Sequence, residues 1–121
     1  MDSKMIEPLP YFYDSINRNA IVVKPQKPFF DWINFIYPES PVYEKEEANI
    51  YLIREMESNE AIEKWLKRNF DRIFQNELND WHTAEADWPQ RRTFKIFRDW
   101  FSYEIHSMVL DLEETDVSKD L

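Results

Sequence analysis

The apolar residues Ile62, Trp65, Leu66, Phe70, Ile73, Phe74, Leu78 and Trp81 recur at steps of three, one and four. That spacing lays one continuous stripe along a helix and predicts that the helix packs on a sheet. Ser58 or Asn59 can cap its start, Glu60 and Glu63 suit its first turn, and with no Gly or Pro to break it the helix is expected to run to about Asn79. Two other segments carry a strand pattern. NAIVVKP, residues 19–25, is a β-branched run stopped by proline. ANIYLIREM, residues 48–56, alternates, with Ile50, Leu52 and Arg54 on one face and Tyr51, Ile53 and Glu55 on the other. Between them KPFFDWINFIYP has Pro28 in the favoured first turn and Phe29, Trp32, Ile33 and Ile36 at helical spacing, ended by Pro38 and Pro41.

The last third supports two readings. Phe94, Phe97, Phe101, Ile105, Met108 and Leu112 fit one helix, whereas YEIHSMVLDLE also alternates as a strand. Two strands alone make a marginal sheet, so a short helix over residues 93–101 followed by a third strand is the expectation. The predicted fold is a small single α+β domain: a three-stranded, largely antiparallel sheet packed by one long and two short helices. Residues 1–18 are expected as an extended entry, and residues 113–121 as an acidic, frayed tail. A faint echo, FFDWINF against FRDWFSY, is read as one helix-end solution used twice, with no repeat period around it.

Composition narrows the chemistry. The 121 residues include nine Phe, six Tyr and five Trp, enough ring area for one core. There is no Gly, so neither a phosphate-cradling glycine loop nor a GxSxG nucleophile elbow can be built. There is no Cys, which removes disulfides, thiolate ligands and a Cys nucleophile. The net charge of -9 disfavours nucleic acid and anionic lipid as partners. The N-terminal sequence has no basic start followed by an apolar stretch, and no apolar run approaches a membrane span, so a cytoplasmic location and no membrane partner are expected.

The candidate chemistry centres on DWHTAEADWPQRRTF. His82 and Glu85 are spaced to share a helix face, and a two-His, one-carboxylate centre would need the fold to bring His82 and His106 together with Glu85, Asp87 or Asp111. The competing reading makes His82 the end of the long helix, where a cation complements the dipole. A local Ser-His-Asp unit from His106, Ser107 and Asp111 is disfavoured, since neighbours on a strand point to opposite faces. Arg91, Arg92, Lys95 and Arg98 interleave with Phe94 and Phe97 as the polar face of an amphipathic helix. Trp88 is expected to anchor a loop on the core. Tyr11, Tyr13, Tyr37 and Tyr43 sit near prolines and, with Trp88, Arg91 and Arg92, form the candidate partner-binding set. Acid concentrates at Glu44–Glu47, Glu55–Glu63 and the C-terminal tail. The leading expectation is therefore a non-enzymatic acidic interaction or regulatory module, without cofactor, that binds another protein of basic character and is able to form a homo-oligomer. The alternative is a metal-assisted hydrolase or small-ligand binder around His82, Glu85, Asp87 and His106.

Two blocks, NRNAIVVKPQKPFFDW and WPQRRTFKIFRDWFSYEIHSMVLDL, resemble those of a widespread set of short uncharacterised bacterial proteins. The resemblance covers most of residues 17–112 and implies a bacterial source. It brings no activity, ligand or catalytic residue with it.

Overall fold

The computed structural model describes residues 14–120. Tyr11 and Tyr13, and most of the expected extended entry, lie outside that range. In chain order the elements are β1 (Asp14–Ser15), β2 (Arg18–Pro25), α1 (Lys27–Ile36), β3 (Asn49–Arg54), α2 (Asn59–Trp81), a 3-10 turn (Glu85–Asp87), α3 (Phe94–Trp100), β4 (Phe101–His106) and β5 (Leu110–Asp111). The fold is a small α+β domain. Its main sheet has the order β3-β2-β4 with both pairings antiparallel, and β1 pairs β5 in a second, two-stranded ladder.

The two later helices start as the sequence predicts and end without a left-handed residue. Ser58 Oγ accepts from the Ala61 N–H at 3.1 Å, and Thr93 Oγ1 accepts from the Ile96 N–H at 3.2 Å, each satisfying an orphan donor. Helices commonly end in a left-handed residue, usually Gly. No described residue has positive φ. Instead α2 leaves directly into extended backbone at His82 (φ -157°), and α3 does the same at Phe101 (φ -137°), which is already the first residue of β4. The long helix thus runs to Trp81, two residues past the predicted end, within the usual uncertainty of a helix boundary.

The third strand is present but shorter than its alternation suggested. Ala20 pairs with His106, and Ser15 pairs with Leu110. Five steps along the first strand therefore match four along the last, so the β1–β2 side carries one extra residue, a bulge. Asn19 ties the irregular region together. It is buried, its Nδ2 donates to the Ser107 carbonyl at 3.0 Å, and its Oδ1 accepts from the Met56 N–H at 2.8 Å. An asparagine that meets two backbone groups thus satisfies polar groups just beyond the ends of β4 and β3, where the regular ladders stop.

The helices cover one face of the sheet. Ile21 and Val23 of β2, Ile53 of β3 and Phe101 of β4 meet Phe29 and Ile33 of α1, Ile62, Leu66, Phe74 and Leu78 of α2, and Phe97 of α3. Rings dominate the centre, with Phe74–Phe101 and Phe97–Phe101 centroids each 5.2 Å apart and Phe29–Phe101 5.5 Å apart. α2 crosses this face obliquely. Near its start Glu63 accepts from the Tyr103 hydroxyl on β4, and near its end Glu77 accepts from Asn49 on β3.

The two copies of the sequence echo lie differently: residues 29–35 fall within α1, whereas residues 97–103 span the end of α3 and the start of β4, so only the helical part, up to the Trp, is shared. In both, K-x-F-x-D-W sets a Lys–Asp pair one turn apart on the exposed side: Lys27–Asp31 at 2.9 Å and Lys95–Asp99 at 3.3 Å. Phe29 and Phe97 are fully buried, and Trp32 and Trp100 meet across the two helices at 6.3 Å. Among the described residues no helix is long and apolar enough to cross a membrane.

Candidate functional site

The second face of the sheet has no helix packed against it, and its side chains differ sharply between strands. Alternation places Ala20, Val22, Ile50 and Leu52 there, with Ala20 opposite Leu52 and Val22 opposite Ile50. Ile50 keeps 66% and Leu52 47% of its surface exposed. On β4 the same face carries Ser102, Glu104 and His106, all exposed. His106 Nε2 lies 3.2 Å from Glu104 on its own strand. The outer surface is therefore apolar toward β3 and polar toward β4.

The C-terminal tail borders this surface. Between the tail and β1–β2 lies a cavity of about 840 Å³, lined by Asp14, Asp111, Glu113, Glu114 and Asp116 together with Ile16, Leu52 and Val117; Arg18 and Lys119 are its two cations. Its size falls within the ordinary range of binding clefts. Carboxylates around an apolar floor favour an occupant that brings both positive charge and apolar surface. The tail is exposed, without regular secondary structure, and forms one wall of this groove.

His82 sits elsewhere, at the C-terminal end of α2. Its Nε2 lies 2.8 Å from Asp87 Oδ2, and its Nδ1 lies 2.8 Å from the Tyr37 hydroxyl. An ionised Asp87 accepts only from Nε2–H, so in the neutral ring Nδ1 is the acceptor for the Tyr37 O–H. Tyr37 and His82 are the residues that end α1 and α2, so this chain of hydroxyl, imidazole and carboxylate clasps two helix ends to the 3-10 turn. Trp88 closes the clasp, donating from Nε1 to the His82 carbonyl at 2.7 Å, while Trp32 donates to the Asp87 carbonyl at 2.9 Å. Both imidazole nitrogens are engaged, and the arrangement orients the ring.

The predicted metal set is not assembled. His82 and Asp87 meet, but His106 is bonded to Glu104 on the outer sheet face, and among the described residues no group of three His, Asp or Glu side chains is placed to hold a metal ion. The proposed partner-binding residues also scatter. Trp88 is 7% exposed and belongs to the core. Arg92 is bound to Asp71 at 2.6 Å and to the Pro89 carbonyl at 2.8 Å, and its guanidinium holds the Asp71 carboxyl below its usual range. Tyr37 is committed to His82, whereas Tyr43 and Arg91 are exposed.

One polar cluster had no counterpart in the sequence reading. Glu77 is fully buried in the apolar stripe of α2. Its Oε2 accepts from the Tyr51 hydroxyl and from Asn49 Nδ2, and Asn49 also reaches Asp80 at 3.2 Å. Its Oε1 is buried without a partner. Burial, and next the bond to Glu77, push the Tyr51 phenol above its ordinary range. The signal available in the sequence was a glutamate inside the helical stripe, one position before Leu78.

The chain matches no protein-family model, no curated protein and no solved structure.

Proposed function

We propose that this protein is a non-catalytic interaction module whose acidic groove takes a basic, partly apolar segment of another protein. The observation that carries this reading is the groove itself, with Asp14, Asp111, Glu113, Glu114 and Asp116 around Ile16, Leu52 and Val117. The net charge of -9 supports it, because a field of that sign speeds encounter with basic partners. We place this role in the cytoplasm of a bacterial cell, the source that the resemblance of two sequence blocks to short bacterial proteins implies.

Capture from extracts of the source cells at low and high salt tests the reading, with the wild type compared with Glu113→Gln/Glu114→Gln/Asp116→Asn. The expected outcome is a stoichiometric protein retained by the wild type at low salt, released at high salt and lost from the neutralised variant. Equal recovery by both proteins, or none by either, overturns it.

A further inference from the structure

We propose that Tyr37 is a site of covalent modification, its hydroxyl activated by His82 to take an acyl group from an activated donor such as a thioester or an acyl phosphate. This role goes beyond the groove and does not depend on it.

The clasp at the helix ends has the parts of an activated nucleophile. The Tyr37 hydroxyl lies 2.8 Å from His82 Nδ1, and Asp87 Oδ2 lies 2.8 Å from Nε2. A hydroxyl thus meets an imidazole able to take its proton, and a carboxylate fixes the tautomer of that imidazole. This is the relation of a Ser-His-Asp triad with the two ring nitrogens exchanged. The three residues come from the end of α1, the end of α2 and the 3-10 turn, so the fold assembles them without a long loop. Trp88 holds the His82 carbonyl and Trp32 packs edge-on to the ring, so the base needs no reorientation before it acts.

The base is sheltered and the nucleophile is open. His82 is half-buried, whereas Tyr37 keeps 44% of its surface exposed, and Pro38, Glu39 and Ser40 after it are exposed as well. A small donor can therefore approach from solvent. The other described tyrosines differ. Tyr51 and Tyr103 give their hydroxyls to Glu77 and Glu63, and burial raises both phenols above their ordinary range. Tyr43 is more exposed than Tyr37, at 77%, but only Tyr37 among the described tyrosines is bonded to an imidazole.

In the transfer a lone pair on Tyr37 Oη attacks the acyl carbon as Nδ1 takes the phenolic proton. The bond from that carbon to sulfur or to the phosphate oxygen breaks, and the leaving group keeps the electron pair. The imidazolium, stabilised by Asp87, returns its proton to the leaving group. The products are acylated Tyr37 and free thiol or phosphate. The ester oxygen has no proton to donate to Nδ1, so acylation unfastens the end of α1 from the end of α2.

Acetylation of the full chain by p-nitrophenyl acetate, followed at each tyrosine by peptide mass spectrometry, tests the site. Tyr37 is expected to react at least about tenfold faster than the more exposed Tyr43. His82→Gln and Asp87→Asn are each expected to bring Tyr37 down to the rate of Tyr43, the first by removing the base and the second by releasing its tautomer. Tyr51 and Tyr103 are expected to stay slow in both variants, which verifies that the fold is kept. A wild type in which Tyr37 reacts no faster than Tyr43 overturns the proposal, whether or not a variant folds. So does a Tyr37 rate that survives either substitution in a folded chain.

Discussion

The two faces of the sheet are made by the same three strands and have opposite fates. Odd-numbered residues such as Ile21, Ile53 and Phe101 disappear beneath the helices, while Val22, Ile50 and Leu52, next to them in the chain, remain at the surface. Their hydrophobicity does not account for the difference, since Ile50 and Ile53 are the same residue. Three helices were available for one face and none for the other. An apolar side chain on the inner face therefore contributes to stability, whereas one on the outer face is available for assembly.

The widest gap between the faces should come from paired truncations. Phe74→Ala removes a fully buried ring that touches Phe97, Trp100 and Phe101, and should cost about 3 to 5 kcal/mol of unfolding free energy. Leu52→Ala should change stability by less than about 0.5 kcal/mol. Urea denaturation of both variants measures this, and similar losses would mean that the outer face is covered.

A smaller effect sharpens the comparison at the polar margin of the inner face. Tyr51→Phe leaves the buried Glu77 with only Asn49 as a donor, and should cost about 1 to 3 kcal/mol at neutral pH. Because the folded state raises the Tyr51 pKa, its contribution is fully present below the ordinary tyrosine value of about 10 and is lost as pH rises above it. The melting temperature of Tyr51→Phe should therefore fall less steeply with alkali. Tyr103, raised by burial and then by Glu63, keeps part of the slope.

The smallest effect concerns the exposed flank of α2. Asp71→Asn should cost about 0.5 kcal/mol at neutral pH, because the pair with Arg92 is partly open to water. Arg92 lowers the Asp71 pKa, so this contribution is present above the ordinary carboxylate range and is lost as pH falls through the lowered value. The variant should lose less stability than the wild type between neutral and acid pH. An identical acid profile would mean that the pair is not formed in solution.

Much of the fold was legible because the responsible signals are local. The stripe from Ile62 to Trp81 specified the long helix, the prolines bounded α1, and Thr93 marked the start of the short helix before the third strand. The β1–β5 ladder was missed because two-residue strands have no measurable period. The candidate site was less legible. The acids of the tail stood out, but nothing local tied them to Arg18 and Leu52. His82 drew attention for the right neighbour, Asp87, and the wrong second one, since Tyr37 lies 45 positions away and His106 is held by Glu104 on the outer face.

By itself the sequence determined where helices and strands form, because periodicity and capping act between residues a few positions apart. The extended backbone that ends α2 at His82 and α3 at Phe101 is consistent with a chain that has no glycine to supply an inexpensive left-handed residue. Only the tertiary structure decided which parity of each strand is buried, where Asn19 meets the chain beyond the ends of β4 and β3, and that Glu77 lies in the core beside Tyr51. Those outcomes depend on which surfaces meet across the chain, and an alternating strand offers both of its faces equally until a helix covers one.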